Sequence, residues 1–157
     1  MRDPLGAGTL QRSDADDCCR PAARTPHVTS QPSTPVRVAV ADDNEDLCLV
    51  LGELIHESEG LACVARITVR EEVLKCVAAC QPDVLVLDLM LGGENSLSLL
   101  PELAARSPGT RVLIHSGYKL DALAVDVTRR GAVAYIAKGG DPDELIEAIK
   151  RIAHEPR

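Results

Sequence analysis

The sequence predicts a doubly wound α/β domain. From Val36 onward, short apolar runs alternate with longer stretches of helical period, which is the pattern of βα units around a parallel sheet. The chain is 45% hydrophobic yet has no Phe, no Trp and two Tyr. Its interior must therefore be packed from Leu, Val, Ile and Ala, as in a buried aliphatic sheet flanked by helices. A length of 157 residues suits one ordinary domain with a proper core.

Residues 1–35 are rich in Pro, Ser, Thr, Arg and Asp and lack apolar periodicity, so they cannot offset the entropy of ordering and are predicted to be a disordered leader. The domain is expected over 36–154, with 155–157 as a tail. The first strand is Val36 to Ala41. Asn44 is the candidate cap of a helix whose apolar positions Leu47, Val50, Leu51, Leu54 and Ile55 share one face. A second strand, Leu61 to Ile67, leads to Thr68-Val69-Arg70-Glu71, which reads as a capping box for a helix ended by Gln81-Pro82.

The third strand, Val84 to Leu87, is apolar on both faces and stops at Asp88, which marks it as the buried centre of the sheet. The helix after it holds Pro101, acceptable in a first turn, so a start capped by Ser98 is expected. Arg111 to His115 form the fourth strand. The helix that follows turns Leu120, Leu123, Ala124 and Val127 inward and is closed by Arg129-Arg130-Gly131. Ala132 to Ala137 are the fifth strand, and Asp141-Pro142-Asp143-Glu144 open the last helix with a cap, a first-turn proline and a return carboxylate.

Composition excludes several classes. With 24 acidic against 17 basic residues the net charge is -7, and no basic stripe runs along the chain to track a phosphate backbone, so no direct nucleic-acid contact is expected. No apolar stretch approaches the roughly 20 residues that span a bilayer, and the N-terminus lacks the apolar core of a secretory signal. A cytoplasmic protein with no membrane contact is expected. Cys48, Cys63, Cys76 and Cys80 fall in apolar periodic segments and read as reduced core residues. Neither Cys76 with Cys80 nor Cys18 with Cys19 has His or acidic partners at zinc spacing.

Strict alternation of five strands with five helices brings the carboxyl ends of the strands into one crevice, where open sheets of this kind bind ligands. Asp42 and Asp43 end the first strand and Asp88 the third, while Ser116 follows the fourth and Lys138 the fifth. Two carboxylates about 4 Å apart repel by roughly 4 kcal/mol at an effective dielectric of 20. A hard cation is the natural compensation. Magnesium suits Asp43, Asp88 and a backbone carbonyl just past Asp88, with Asp42 acting through a water. With its charge screened, Asp88 can attack phosphorus as a carboxylate nucleophile, and Ser116 and Lys138 can receive the phosphoryl oxygens.

The stretch from about Val36 to Ala153 resembles a response-regulator receiver domain of bacterial two-component signalling. The matching pieces are Ala41-Asp42-Asp43-Asn44, Val86-Leu87-Asp88-Leu89, Ile114-His115-Ser116-Gly117 and Tyr135-Ile136-Ala137-Lys138. The resemblance implies a flavodoxin-like fold of strand order 2-1-3-4-5, Asp88 as phosphoacceptor and a histidine kinase or histidine phosphotransfer protein as donor. It implies a switch through Ser116 and Tyr135 that reshapes the face of the fourth helix, fifth strand and fifth helix, for a downstream protein target or a homodimer. Self-phosphorylation and self-dephosphorylation follow from the same chemistry, without a separate enzymatic activity. The loop after Asp88 departs from the family pattern, with Gly92 and Ser96 where a proline and a glycine are usual. The Met90 carbonyl falls at the metal position, and the side chains of Met90 and Tyr118 stand where the family tunes hydrolysis.

Taken singly, the residues allow plainer roles. Asp42 and Asp43 suit a solvated capping turn, Lys138 a solvent-facing position and Tyr135 the core edge. His115 reads as an outward strand-end residue without a role. An aspartyl phosphatase would need an acid where Met90 stands, a flavodoxin would need a hydroxyl-rich phosphate loop where Asp42 and Asp43 stand, and a dinucleotide enzyme would need its glycine fingerprint. A receiver-like adapter that is not phosphorylated, and the receiver part of a DNA-binding transcription regulator, are the remaining alternatives. If the chain is complete at Arg157, output by protein contact is expected.

Overall fold

The computed structural model describes residues 34–118, 129 and 131–156. The expected leader, apart from its last two residues, and the expected helix with Leu120, Leu123, Ala124 and Val127 lie outside the described residues. Five strands, β1 (Val36–Ala41), β2 (Leu61–Ile67), β3 (Val84–Asp88), β6 (Arg111–Ser116) and β7 (Ala134–Ala137), form one sheet of order β2-β1-β3-β6-β7. All its pairs are parallel. The predicted order 2-1-3-4-5 is recovered once β4 (Met90–Leu91) and β5 (Glu94–Asn95), a separate antiparallel ribbon, are set aside.

The sheet is covered on both sides because its strands alternate between two apolar layers. Ala39, Ala41, Leu85, Leu87 and Ile114 meet Val73 and Val77 of α2 (Val73–Cys80) and Leu100 and Leu103 of α3 (Leu100–Arg106). Val38, Val40, Val84, Val86 and Leu113 meet Leu51 and Ile55 of α1 (Glu45–Glu57) and Leu145, Ile149 and Ile152 of α4 (Pro142–His154). Strand β3 is buried along its whole length. Truncating one of its residues, Leu87→Ala, removes contacts worth about 2–5 kcal/mol. Arg111 fastens β6 to the end of α4 by donating from its guanidinium to the carbonyls of Ile152 and Glu155.

Two expected caps are present. The Asn44 side chain accepts from the Leu47 amide, and the Asp141 side chain accepts from the Asp143 amide ahead of Pro142. Others differ. No Thr68 box opens the second helical segment, which begins as a 3-10 turn over Arg70–Glu72 without a side-chain cap. Gln81 ends that segment in the left-handed conformation at φ 43°. Ser98 lies inside a 3-10 turn (Ser96–Leu99) whose cap is Asn95, accepting from the Leu97 amide. Pro101 does occupy the first turn of α3.

On α1, Val50 is 61% exposed, although the helical period sets it on the same face as Leu51 and Ile55. The buried stripe runs through Cys48, Leu51, Gly52 and Ile55, so the thiol and the glycine take the side against the sheet. Cys48 and Cys63 are free thiols, as read from their apolar settings. Cys76 is disulfide-bonded, which corrects its reading as reduced. Its side chain is buried in the core layer under α2 and α3. Among the described residues no helix is long and apolar enough to cross a membrane.

Candidate functional site

Three strand ends converge on one crevice. Asp42 follows β1 and is held in the sheet's hydrogen-bonding pattern by its amide, which donates to the Ile67 carbonyl at 3.0 Å. Asp88 is the last residue of β3, paired with His115 on β6. Lys138 follows β7, its amide donating to the Ser116 carbonyl at 2.7 Å. The parallel order places β1 and β3 side by side, so residues 46 positions apart meet without any local sequence relation.

Asp42, Asp43 and Asp88 each offer a carboxylate oxygen such that the three lie within 4.8 Å of one another. Asp42 and Asp88 are buried, at 2% and 7% exposure, while Asp43 is exposed. The Lys138 ammonium bridges the two buried acids, 2.6 Å from Asp42 and 3.1 Å from Asp88. Backbone amides supply further donors. Asn44 donates to Asp42 at 3.0 Å, Met90 to Asp88 at 3.4 Å, and Gly92 to Asp43 at 3.1 Å.

One cation does not neutralise three carboxylates, and the electrostatics carry that imbalance. Burial pushes the Asp88 carboxyl above its ordinary range, against the hydrogen bond and charge of Lys138, with the neighbouring Asp42 adding to the rise. Burial alone would lower the Lys138 ammonium, but its hydrogen bonds and charge interactions with Asp42 and Asp88 leave it raised. Lys138 is therefore a fixed positive charge at neutral pH. A set of three carboxylates is a hard oxygen donor set, which fits a hard divalent cation rather than a soft one.

The hydroxyl side of the crevice is equally ordered. Ser116 is 1% exposed, and its Oγ accepts from the Tyr118 amide at 3.3 Å. Tyr135 is partly buried against the α2–α3 layer, and its phenol donates to the Tyr118 carbonyl. The Tyr118 side chain is 59% exposed. Met90 is partly buried at the start of the ribbon.

The structure thus brings together Asp42, Asp43, Asp88, Lys138 and the Met90 backbone, and sets Ser116, Tyr118 and Tyr135 on the adjoining side. His115 is a correction. It is 6% exposed, faces the α1 and α4 layer with its Nδ1 unpartnered, and does not point to solvent. Strand parity could have found this, because His115 shares the face of Leu113 in a sheet covered on both sides. Sequence reasoning also missed Arg70, whose side chain reaches the ribbon after Asp88.

The family model described as "Response regulator receiver domain" matches residues 38–150. Among curated proteins, the chain is 32% identical over 117 residues to the DNA-binding transcriptional activator DevR/DosR of Mycobacterium tuberculosis, covering 74% of this chain and 54% of that protein. It is 25% identical over 117 residues to the response regulator GacA of Pseudomonas aeruginosa, covering 74% of this chain and 55% of that protein. The chain spans about half the length of these curated relatives. Among solved structures, a Burkholderia pseudomallei response regulator with a phosphorylated aspartic acid, calcium ion and citrate superposes with TM-score 0.66 at 30% identity, covering 74% of this chain and 68% of that one. The signal receiver domain of a NarL response regulator from Mycobacterium tuberculosis superposes with TM-score 0.72 at 23% identity, covering 78% of this chain and 98% of that one, which speaks to the fold.

Proposed function

Because the chain belongs to the response regulator receiver domain family, we propose that its chemistry is phosphoryl transfer to Asp88, with Asp42, Asp43 and Lys138 as its electrostatic frame. The observation that carries this is the Lys138 bridge between two buried acids beside a third. An Asp88 oxygen attacks the phosphorus of a phosphohistidine on a histidine kinase or phosphotransfer protein. The new O–P bond forms as the N–P bond breaks, and the electron pair leaves with the imidazole.

Asp43, Asp88 and the Met90 carbonyl would hold a magnesium ion, with Asp42 reaching it through a water. When bound, the ion supplies positive charge to the transferring phosphoryl oxygens. Lys138 orients Asp88 and stays charged through the transfer, and the Ser116 hydroxyl takes a further phosphoryl oxygen. Moving Ser116 toward that oxygen disturbs the Tyr118 amide that it now holds. Tyr135 is tied to the carbonyl of the same residue, so its ring position responds. This links the charge change on Asp88 to the surface of β7 and α4, where a downstream protein or a second copy would read it. The helix expected between β6 and β7, which the resemblance also assigns to that face, lies outside the described residues.

A second reading, the receiver part of a DNA-binding transcription regulator, is favoured by relatives such as DevR/DosR; the chemistry at Asp88 is the same and only the output differs. The test is intact-mass spectrometry after incubation with magnesium and acetyl phosphate. A gain of one phosphoryl group that is lost in Asp88→Asn and without magnesium is expected. No gain, together with no magnesium binding, would leave a receiver-shaped adapter.

A further inference from the structure

The ribbon of β4 and β5 begins at Met90, whose carbonyl is the backbone ligand of the proposed site, yet two strands of two residues are too short to hold themselves in place. Its turn is Gly92-Gly93, both at positive φ, 62° and 79°, a conformation without side-chain packing to stiffen it. Leu91 anchors the ribbon in the core layer under α2 and α3, and its polar ties come from other segments. On one side the Gly92 amide donates to Asp43. On the other stands Arg70, from the 3-10 turn before α2.

Arg70 is the more extensive tie. Its Nε lies 3.0 Å from Glu94, and one terminal nitrogen donates to the Ser98 hydroxyl at 2.8 Å and to the Asn95 carbonyl at 3.4 Å. Glu94 and Asn95 are the residues that pair with Leu91 and Met90. The side chain is only 12% exposed, so a planar cation with fixed donor directions is held against the return strand of the ribbon. Groups that orient a metal ligand without touching the metal contribute to its affinity.

We propose that Arg70 is a positioning residue for the divalent-cation site: by clamping Glu94, Asn95 and Ser98 it sets the Met90 carbonyl opposite Asp43 and Asp88. This rests on the reading of that crevice as a magnesium site. The clamp is built from the 3-10 turn that the sequence does not cap, which places the Arg70 guanidinium beside the ribbon rather than along a helix.

The test is magnesium titration by isothermal calorimetry on the full chain without phosphoryl donor, with thermal melts in parallel. Arg70→Ala is expected to weaken magnesium binding about tenfold, the lower end of what outer groups around a metal contribute. Arg70→Lys retains the charge but not the fork and should recover part of the loss. Glu94→Gln should weaken binding less when Arg70 is already alanine than when it is present, because the two act as a unit. Hydrogen exchange at the Gly92 and Ser96 amides should quicken in Arg70→Ala while that of β1 and β3 does not change. Equal magnesium affinity in the native protein and Arg70→Ala would overturn the proposal and leave the magnesium site standing, whereas no binding by the native protein would overturn both.

Discussion

Lys138 Nζ lies 2.6 Å from an oxygen of Asp42, closer than the 3.1 Å to Asp88. The lysine is thus anchored more closely on the acid that is not modified in the proposed chemistry.

Removing that cation should expose the repulsion it offsets. Lys138→Ala leaves two buried carboxylates without a counter-charge. The expected loss of stability is about 2–3 kcal/mol, below the 3–5 typical of a fully buried pair because the Lys138 side chain is 23% exposed. Magnesium should restore more stability to the variant than it adds to the native protein. Urea unfolding with and without magnesium measures both; an equal gain in the two proteins would refute the charge-sharing account.

The raised Asp88 carboxyl gives a sign that can be checked. Its ordinary value is 3.8 and burial lifts it in the folded state. The folded protein therefore holds the proton more tightly than the unfolded one. The stability this confers is complete below 3.8 and is lost as pH rises through the higher folded value. At neutral pH the ionised Asp88 weakens the fold, so Asp88→Asn should melt a few degrees higher than the native protein, the shift that about 1 kcal/mol produces in a domain of this size. The gap should narrow as pH falls toward 4, and magnesium should narrow it from the other side by favouring the native carboxylate. Thermal melts across pH decide it.

How much of this was readable beforehand depends on the range of the interaction. Asp42, Asp43, Asp88 and Lys138 stand at the ends of strands whose apolar runs are unmistakable, and parallel topology alone then gathers them. Helical period misplaces Val50 because it leaves two neighbouring faces open, and only packing shows that Cys48 and Gly52 take the inner one. Thr68 and Ser98 offered cap chemistry that the neighbouring backbone did not use. The ribbon and its Arg70 clamp join residues about 25 positions apart by side-chain contacts that no periodicity encodes.

Met90 offers a kinetic prediction. Met90 stands two residues past Asp88 and its side chain, partly buried against the core layer, is apolar, so it cannot orient a water for attack on the acyl phosphate. Met90→Asn supplies an amide that can. The phosphoryl group on the native protein is expected to outlast that on Met90→Asn by several-fold, part of the roughly 10²–10⁴ that positioned proton-handling groups contribute. Loss of the added mass with time, after donor removal, reports the lifetimes. A shorter lifetime in the native protein would contradict the role given to this side chain.

His115 makes the opposite pH statement to Asp88. Burial lowers its imidazole below the ordinary 6.5, and the Lys138 charge lowers it further, against a smaller opposing pull from Asp42. The unfolded chain therefore takes up a proton that the folded chain resists. The stability associated with neutral His115 is complete above 6.5 and declines as pH falls through the lower folded value, by at most about 1.4 kcal/mol per pH unit. The Nδ1 has no partner among the described residues to hold a proton, and its neighbours on that side include Leu47, Leu51 and Leu145. His115→Leu should therefore be at least as stable as the native protein at pH 7 and should lack this part of the acid dependence. Denaturant midpoints of both proteins between pH 5 and 7 isolate the contribution, since every other titrating group is common to the pair. A constant difference across that range would mean that the imidazole accepts its proton in the folded state as readily as in the unfolded one.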